Sequence, residues 1–536
     1  MLVTCYWLFV IGLWFPLSQA KDLKRIDVLQ SRMKNIILTT LNSRYSHSSL
    51  GLRYLYANLK ELKKKAEILE FVINSSVQTI AEQILERNPK IIGIAVYIWN
   101  ALDVCELVKI IKKVSPKTIV VLGGPEVSFQ PLRVNFDLAD YIICGEGEIS
   151  FYTLCKELLN KSCQQPRIIT SSKVDFQNIV LPYDEYTDFD IKNRHIYVEM
   201  ARGCPYECEF CLSSIDKKMR YLSVDVFLNE IEKLWQRGAR NFKFIDRTFN
   251  IKISYAQAIL NYFLTKKEDY FLHFEVIPDN FPSELRALIK QFKEGSLQLE
   301  VGIQTLNLNV AKEIKRNLNI PKIKENLQFL SQETHAHMHI DLIIGLPGES
   351  IESFGKNLNE LYALCSGEIQ VGILKKLSGT TLNRHDEIYG MVYNDSPPYD
   401  ILKNNLIDFS LMQTMKRFAR FWDIVYNSGN FQKTTALLFQ DGKVYENFFD
   451  LSQWLYKRSE STYKISLDRM AQFLFEYMSQ KHEKEQLAHT ILEDVMKVGG
   501  RKIPPFLKKI IPQHYDVAQK NVSKTNKRQQ IRNGEK

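Results

Sequence analysis

Between residues 35 and 160 the chain alternates short apolar runs with amphipathic stretches. The runs at 35–41 (NIILTTL), 67–73, 91–97 (IIGIAVY), 118–122 (TIVVL) and 141–144 are rich in Val, Ile and Leu, the pattern of strands covered on both faces. Stretches 49–63, 77–87, 101–113 and 150–160 instead place apolar residues three or four apart and predict helices. Five strand–helix units predict an α/β domain over 33–160, a doubly wound parallel sheet of five strands. The periodicity lapses over 161–194, where Pro166 and Pro182 interrupt a turn-rich stretch that reads as a linker. Strand-like runs return at 196–200, 241–245, 271–276, 297–303, 337–344 and 369–373, with helical stretches such as 223–236 and 254–265 between them. Six such units, rather than eight, predict a partial, TIM-like (β/α)6 barrel over 195–375. Then the alternation stops. Residues 376–397 carry Gly379-Thr380, Gly390 and Ser396-Pro397-Pro398 and read as a loop crossing the active-site side of the barrel. They open a helical domain over 376–500, aromatic-rich and amphipathic from 399 to 496, in which Phe418, Phe421 and Trp422 read as core.

Composition changes this picture little. With 536 residues, 45% apolar and 25% charged, the chain has room for about three globular domains. Of its net charge of +10, residues 501–536 supply +8, ten Lys/Arg against two Asp/Glu. The body is therefore near neutral. The basic tail reads as a solvated terminus, and nucleic acid is not an expected partner. The first twenty residues are strongly apolar and end in small residues, yet lack a Lys or Arg before the apolar run. Residues 1–32 read as a leader or an over-extended start, because the fold pattern begins at Met33. No later run approaches the roughly 20 apolar residues that span a bilayer, so the expectation is a cytoplasmic protein without a membrane partner. Nine cysteines in a chain this long are no disulfide framework. Cys105, Cys144, Cys155, Cys163 and Cys365 lie in or beside apolar segments and read as buried small residues.

The remaining clustered thiols carry the chemistry. Cys204, Cys208 and Cys211 follow the first barrel strand in the run RGCPYECEFC. Thiolates suit iron–sulfur clusters or zinc. Three on one loop can hold three corners of a four-iron cluster and leave one iron with an open position. The zinc alternative would recruit His195 as fourth ligand, but a zinc ribbon uses two close cysteine pairs and only one group is present. Polar residues mark the carboxyl ends of the other barrel strands: Asp246 and Arg247, Glu275, Glu300 and Gln304, then Asp341, Gly345 and Glu349, where β/α barrels place their chemistry. In the first domain the corresponding loops are 42–47, Gly123-Gly124-Pro125-Glu126 and Gly145-Glu146-Gly147-Glu148. A flavodoxin-like nucleotide site competes there, without a G-x-G-x-x-G after the first strand to support it.

The cysteine spacing, with Phe210 just before the last thiol, resembles the radical S-adenosylmethionine (SAM) enzymes. The resemblance implies a [4Fe-4S] cluster on Cys204, Cys208 and Cys211, SAM chelated at the open iron, and an external one-electron donor such as flavodoxin or ferredoxin. It further implies that Phe210 and Ile344 border the adenine, that Glu275 and Gln304 contact SAM, and that Gly345 lies in a ligand-facing loop. GGPEVSF and ADYIICGEGE resemble the cobalamin-binding domain that precedes the barrel in one large radical SAM class, which makes Gly123, Gly124, Pro125, Gly145 and Glu146 expected cobalamin contacts. The Asp-x-His-x-x-Gly motif of histidine-ligating cobalamin proteins is broken, with Tyr45 in the Asp position and Gly51 one residue too far from His47. His47 is then expected to hydrogen-bond at that loop, with cobalt ligation as the alternative. The run LKKLSGTT…YG…PPYDIL resembles an uncharacterised C-terminal domain of the DUF4080 type. The implied function is methyl transfer to an unactivated carbon or phosphorus of a small, natural-product-like molecule. Cobalamin-dependent rearrangement without methyl transfer, a sensor with a degenerate barrel, and a tRNA methylthiotransferase-like enzyme are the alternatives. The last would need a second three-cysteine cluster, for which the other thiols are too dispersed.

Overall fold

The computed structural model describes residues 33–511; the expected leader at 1–32 and most of the basic tail lie outside them. In the first domain β1 (Ile36–Asn42), β2 (Ala66–Val72), β3 (Ile91–Ala95), β4 (Ile119–Gly123), β5 (Tyr141–Cys144) and β6 (Ile168–Thr170) form one parallel sheet in the order β2-β1-β3-β4-β5-β6. The sheet therefore has six strands where the sequence predicts five. The extra one lies in the expected linker. Two of its three residues are exposed, so it presents no buried run to read. The chain leaves β1 for β2 on one side and returns to β3 on the other, which opens a crevice at their carboxyl ends. The helical stretch at 49–63 stops at Ala57, because the Asn58 amide donates to the Tyr54 and Val180 carbonyls at 2.9 and 3.0 Å, and a 3₁₀ turn follows. Cys144, Cys155 and Cys365 are buried as expected. Cys105 and Cys163 are only half-buried, and the Cys105 thiol donates to the Asn135 carbonyl at 3.1 Å.

The second sheet is the partial barrel. Its strands are β7 (Ile196–Val198), β10 (Asn241–Phe244), β11 (Phe271–Val276), β12 (Leu297–Gln304), β13 (His337–Ile344) and β14 (Glu368–Ile373), all parallel and neighbours in chain order. Between β7 and β10, an antiparallel pair, β8 (Ala201–Arg202) and β9 (Arg220–Tyr221), closes the base of the cysteine loop. The C-terminal domain adds a hairpin, β15 (Val392–Tyr393) with β16 (Ile401–Lys403), and helices Phe409–Trp422, Gln432–Leu438, Val444–Ser459, Leu467–Met478 and Lys484–Met496. Phe418, Phe421 and Trp422 are fully buried, as the pattern predicts, in a core continuous with that of the barrel. Trp422 Nε1 donates to the Ile369 carbonyl at 2.8 Å, and the Asn427 amide accepts from Ile369 N–H at 3.0 Å and donates to its carbonyl at 2.9 Å. Side chains thus satisfy backbone groups of edge strand β14 that would otherwise offer themselves to another strand. None of the described helices is long and apolar enough to cross a membrane.

Candidate active site

The cysteine loop is pinned before its first thiol. Buried Asp246, just past β10, accepts the amides of Met200 and Ala201 at 3.1 and 2.7 Å, and Cys204 N–H donates to the Asp216 carbonyl at 2.8 Å. Burial raises the Asp246 pKa to about 7 despite those backbone donors. Cys204 and Cys208 are buried and Cys211 half-buried, and all three line one cavity with Phe210. Burial, and then the neighbouring Cys211 and Cys208, push the Cys204 thiol upward. Arg316 also reaches the loop: its Nη1 donates to Cys208 Sγ at 3.3 Å while Nη2 holds the Gly302 carbonyl. Among the described residues no three His, Cys, Asp or Glu side chains converge tightly enough to hold one metal ion.

The rest of this cavity comes from the carboxyl halves of β11, β12 and β13. Glu275, Glu300, Gln304 and Asp341 line it, together with Arg247. Arg247 Nη1 holds both Glu275 oxygens, at 2.9 and 3.1 Å. Gln304 has a left-handed backbone (φ +72°) beside a register shift in β12. Such strain and bulging re-aim a side chain at a strand end. Burial opposes ionisation of Glu300, but the hydrogen bond with His273 at 2.9 Å and the nearby basic groups, Lys243 and His339 among them, together outweigh it and lower the pKa. Asp341 shifts the other way, through burial and then the Glu300 and Glu275 charges, and its Oδ1 lacks a hydrogen-bond partner. It can stay protonated as a neutral donor. Ile344 and Gly345 are buried outside the lining, with Gly345 packed against Ile401 of the C-terminal domain.

A second cavity occupies the crevice of the first domain. Gly123, Gly124, Gly145 and Glu146 line it at the strand ends, helices Leu50–Ala57 and Glu148–Leu159 flank it, and the barrel contributes Glu199, Arg202 and Ile245. Deeper in, a Cβ on Gly93 would lie 2.8 Å from the Phe151 ring and 3.0 Å from Leu38, so glycine keeps the floor open. An apolar slot with glycine-lined loops fits an extended cofactor tail such as cobalamin carries. Glu146 is not free there. It accepts from Arg220 Nη1 at 3.0 Å and Val174 N–H at 2.7 Å. Pro125 and His47 lie outside the lining. The His47 loop is tied to the start of β7, with Ser48 Oγ donating to the His195 carbonyl at 2.9 Å, and His47 Nδ1 bonds the Tyr197 hydroxyl. The structure thus gives His47 a hydrogen bond and places His195 beside it, 6.1 Å between ring centres. One segment, residues 202–204, borders both cavities. Arg202 borders the second, pairing with Glu199 and Glu148 at 2.8 Å each, and Cys204 borders the first. No motif marks Arg316, which follows an amphipathic helix, or the Glu199–Arg202 pair. Only the charge beside the cysteine run could have drawn attention to Arg202.

Comparison with known proteins agrees with this layout. Residues 36–154 match the B12 binding domain, 198–361 the radical SAM superfamily, and 387–535 a protein domain of unknown function, DUF4080. An uncharacterised methyltransferase of Pyrococcus horikoshii is 27% identical over 41% of this chain and 52% of its own length. The cobalamin-dependent radical SAM methyltransferase TokK of Streptomyces tokunonensis is 24% identical over 59% of this chain and 51% of its own. The chain thus spans about half the length of these curated relatives. The cobalamin-dependent SAM radical enzyme OxsB, solved with aqua-cobalamin and SAM, shares the fold at a TM-score of 0.60 and 15% identity, over 88% of this chain and 79% of its own. The chain thus carries, in order, a region matching the B12 binding domain, a region matching the radical SAM superfamily and a region matching DUF4080.

Proposed function

We propose that the protein is a cobalamin-dependent radical SAM methyltransferase acting on an unactivated carbon or phosphorus of a small molecule. The observation that carries this reading is that one short segment borders both cavities. Arg202 lines the glycine-lined cavity and Cys204, two residues on, the thiol-lined one. Cys204, Cys208 and Cys211 would hold a [4Fe-4S] cluster, Phe210, Glu275 and Gln304 would contact SAM, and Gly123, Gly124 and Gly145 would border cobalamin. When bound together, these groups supply a hydrogen-abstracting radical and a transferable methyl group. The chain's own residues prepare the site. Arg316 donates to the Cys208 sulfur, Arg247 holds Glu275 in place, and Asp341 keeps a proton in the cavity. Arg202 offsets the carboxylates of Glu199 and Glu148 beside the glycine-lined cavity. An oxygen-sensitive cluster that draws on SAM and on flavodoxin or ferredoxin belongs in the cytoplasm.

The test is anaerobic reconstitution with iron, sulfide, hydroxocobalamin, SAM and a strong reductant, followed by mass spectrometry. Both 5′-deoxyadenosine and S-adenosylhomocysteine are expected. 5′-Deoxyadenosine without S-adenosylhomocysteine would reject methyl transfer in favour of a cobalamin-dependent rearrangement.

A further inference from the structure

The stretch between the last barrel strand and the C-terminal helices touches both cavities' loops. It leaves and re-enters at one point, since Lys376 N–H donates to the Tyr399 carbonyl at 3.0 Å and Ile401 N–H to the Leu374 carbonyl at 2.9 Å. The excursion between these bonds is therefore an Ω-like loop with a fixed base, tied internally by the Lys376–Asp386 ion pair and the β15–β16 hairpin, and Leu382, His385, Met391 and Tyr399 are buried in it.

One side of the loop grips the cysteine run. Glu209 stands between Cys208 and Cys211, and its carboxylate is 1% exposed. Arg384 Nε donates to both of its oxygens at 2.8 Å, His385 Nε2 to one at 2.7 Å, and Lys315 Nζ reaches it at 3.1 Å. Glu209 N–H also donates to the Ile314 carbonyl at 3.1 Å, two residues before the arginine that touches Cys208. Three basic side chains, two of them from the loop, thus converge on one buried carboxylate. The other side grips the glycine loop of the first domain. Tyr399, fully buried, donates its hydroxyl to Glu126 of the GGPE turn, and the Arg133 guanidinium lies 4.4 Å above the Tyr399 ring. Gly379 (φ +86°) approaches Phe129 so closely that a Cβ would sit 2.6 Å from the ring.

We propose that residues 376–403 are a strap that sets the position of the 123–133 loop relative to the cysteine loop, with Tyr399 and Arg384 as its positioning residues. The inference rests on the reading of the two cavities as cobalamin and cluster sites, and it gives a task to the stretch that leads into the DUF4080 match at 387. Because the strap is one packed piece, loosening either end loosens the other.

The experiment uses the full chain with Tyr399→Phe, which removes only the hydroxyl, and Arg384→Gln; Glu126→Gln serves as a second cut at the first end. Hydrogen–deuterium exchange of the cofactor-free protein is read at 123–133 and 203–211. Each single variant is expected to speed exchange in both segments, by roughly tenfold at the cut end, as loss of a charge-assisted bond implies, and by several-fold at the far end. Reconstituted variants are expected to lose hydroxocobalamin on desalting and iron to a chelator together. Effects confined to the mutated end, in a wild type that takes up both groups, would overturn the strap alone. A wild type that takes up neither would overturn the cofactor reading, while the exchange data would still decide whether the two loops are coupled.

Discussion

Asp246→Asn removes a buried carboxyl from beneath the cysteine loop and tests the electrostatics of the site. Asp246 is 6% exposed and accepts two backbone amides, and burial lifts its pKa from 3.8 to about 7. A carboxyl whose folded pKa exceeds its unfolded value keeps its proton longer in the folded state. Stability is therefore full below about pH 4 and falls as pH rises toward 7. A rise of about three units corresponds to at most roughly 4 kcal/mol. Asn cannot ionise, and its carbonyl oxygen still accepts from Met200 and Ala201. The variant is thus expected to match the wild type at about pH 4 and to exceed its local stability by roughly 2–4 kcal/mol at pH 8. Native-state hydrogen exchange of the peptide spanning Met200 and Ala201, corrected for intrinsic rates at each pH, reads this difference in the full chain. Equal protection at pH 8, or a gain that persists at pH 4, would refute the argument that ionising this carboxyl strains the loop.

Other expectations use different readouts. Cys208→Ala is expected to abolish iron binding and SAM cleavage, whereas Cys144→Ala, at a buried thiol that lines neither cavity, leaves both intact; iron content and 5′-deoxyadenosine yield check the pair. Gly93→Leu fills the floor of the second cavity, where even a Cβ would crowd Phe151. It should block hydroxocobalamin uptake, followed by its visible spectrum, while iron binding persists. Trp422→Ala removes a fully buried ring and a bond to β14. A loss of roughly 3–5 kcal/mol is expected in urea denaturation, with aggregation as the exposed edge pairs between molecules.

The barrel strands could be located closely from the sequence because apolar residues recur in each at two-residue spacing between polar turns, and the cysteine spacing announces its own chemistry. Features that depend on side chains meeting across the fold left little local trace. β6 is three residues long and mostly exposed, Arg316 reaches Cys208 from a turn without a motif, and His47 is drawn to Tyr197 by a contact 150 residues away in sequence. Alternation along β12 and β13 carries more than the ends of those strands do. Glu275, Glu300, His339 and Glu368 stand opposite one another on adjacent strands. Along β13, buried Met338, Ile340, Leu342 and Ile344 alternate with half-buried His339, Asp341 and Ile343. A barrel with a packed interior points bulky branched side chains inward. Polar groups at those positions must find partners or a ligand. His273 partners Glu300, whereas Asp341 Oδ1 has no protein partner and borders the thiol-lined cavity. The alternation of polar and apolar residues within strands, read together with the cysteine run, therefore points into the barrel as the place where ligands bind.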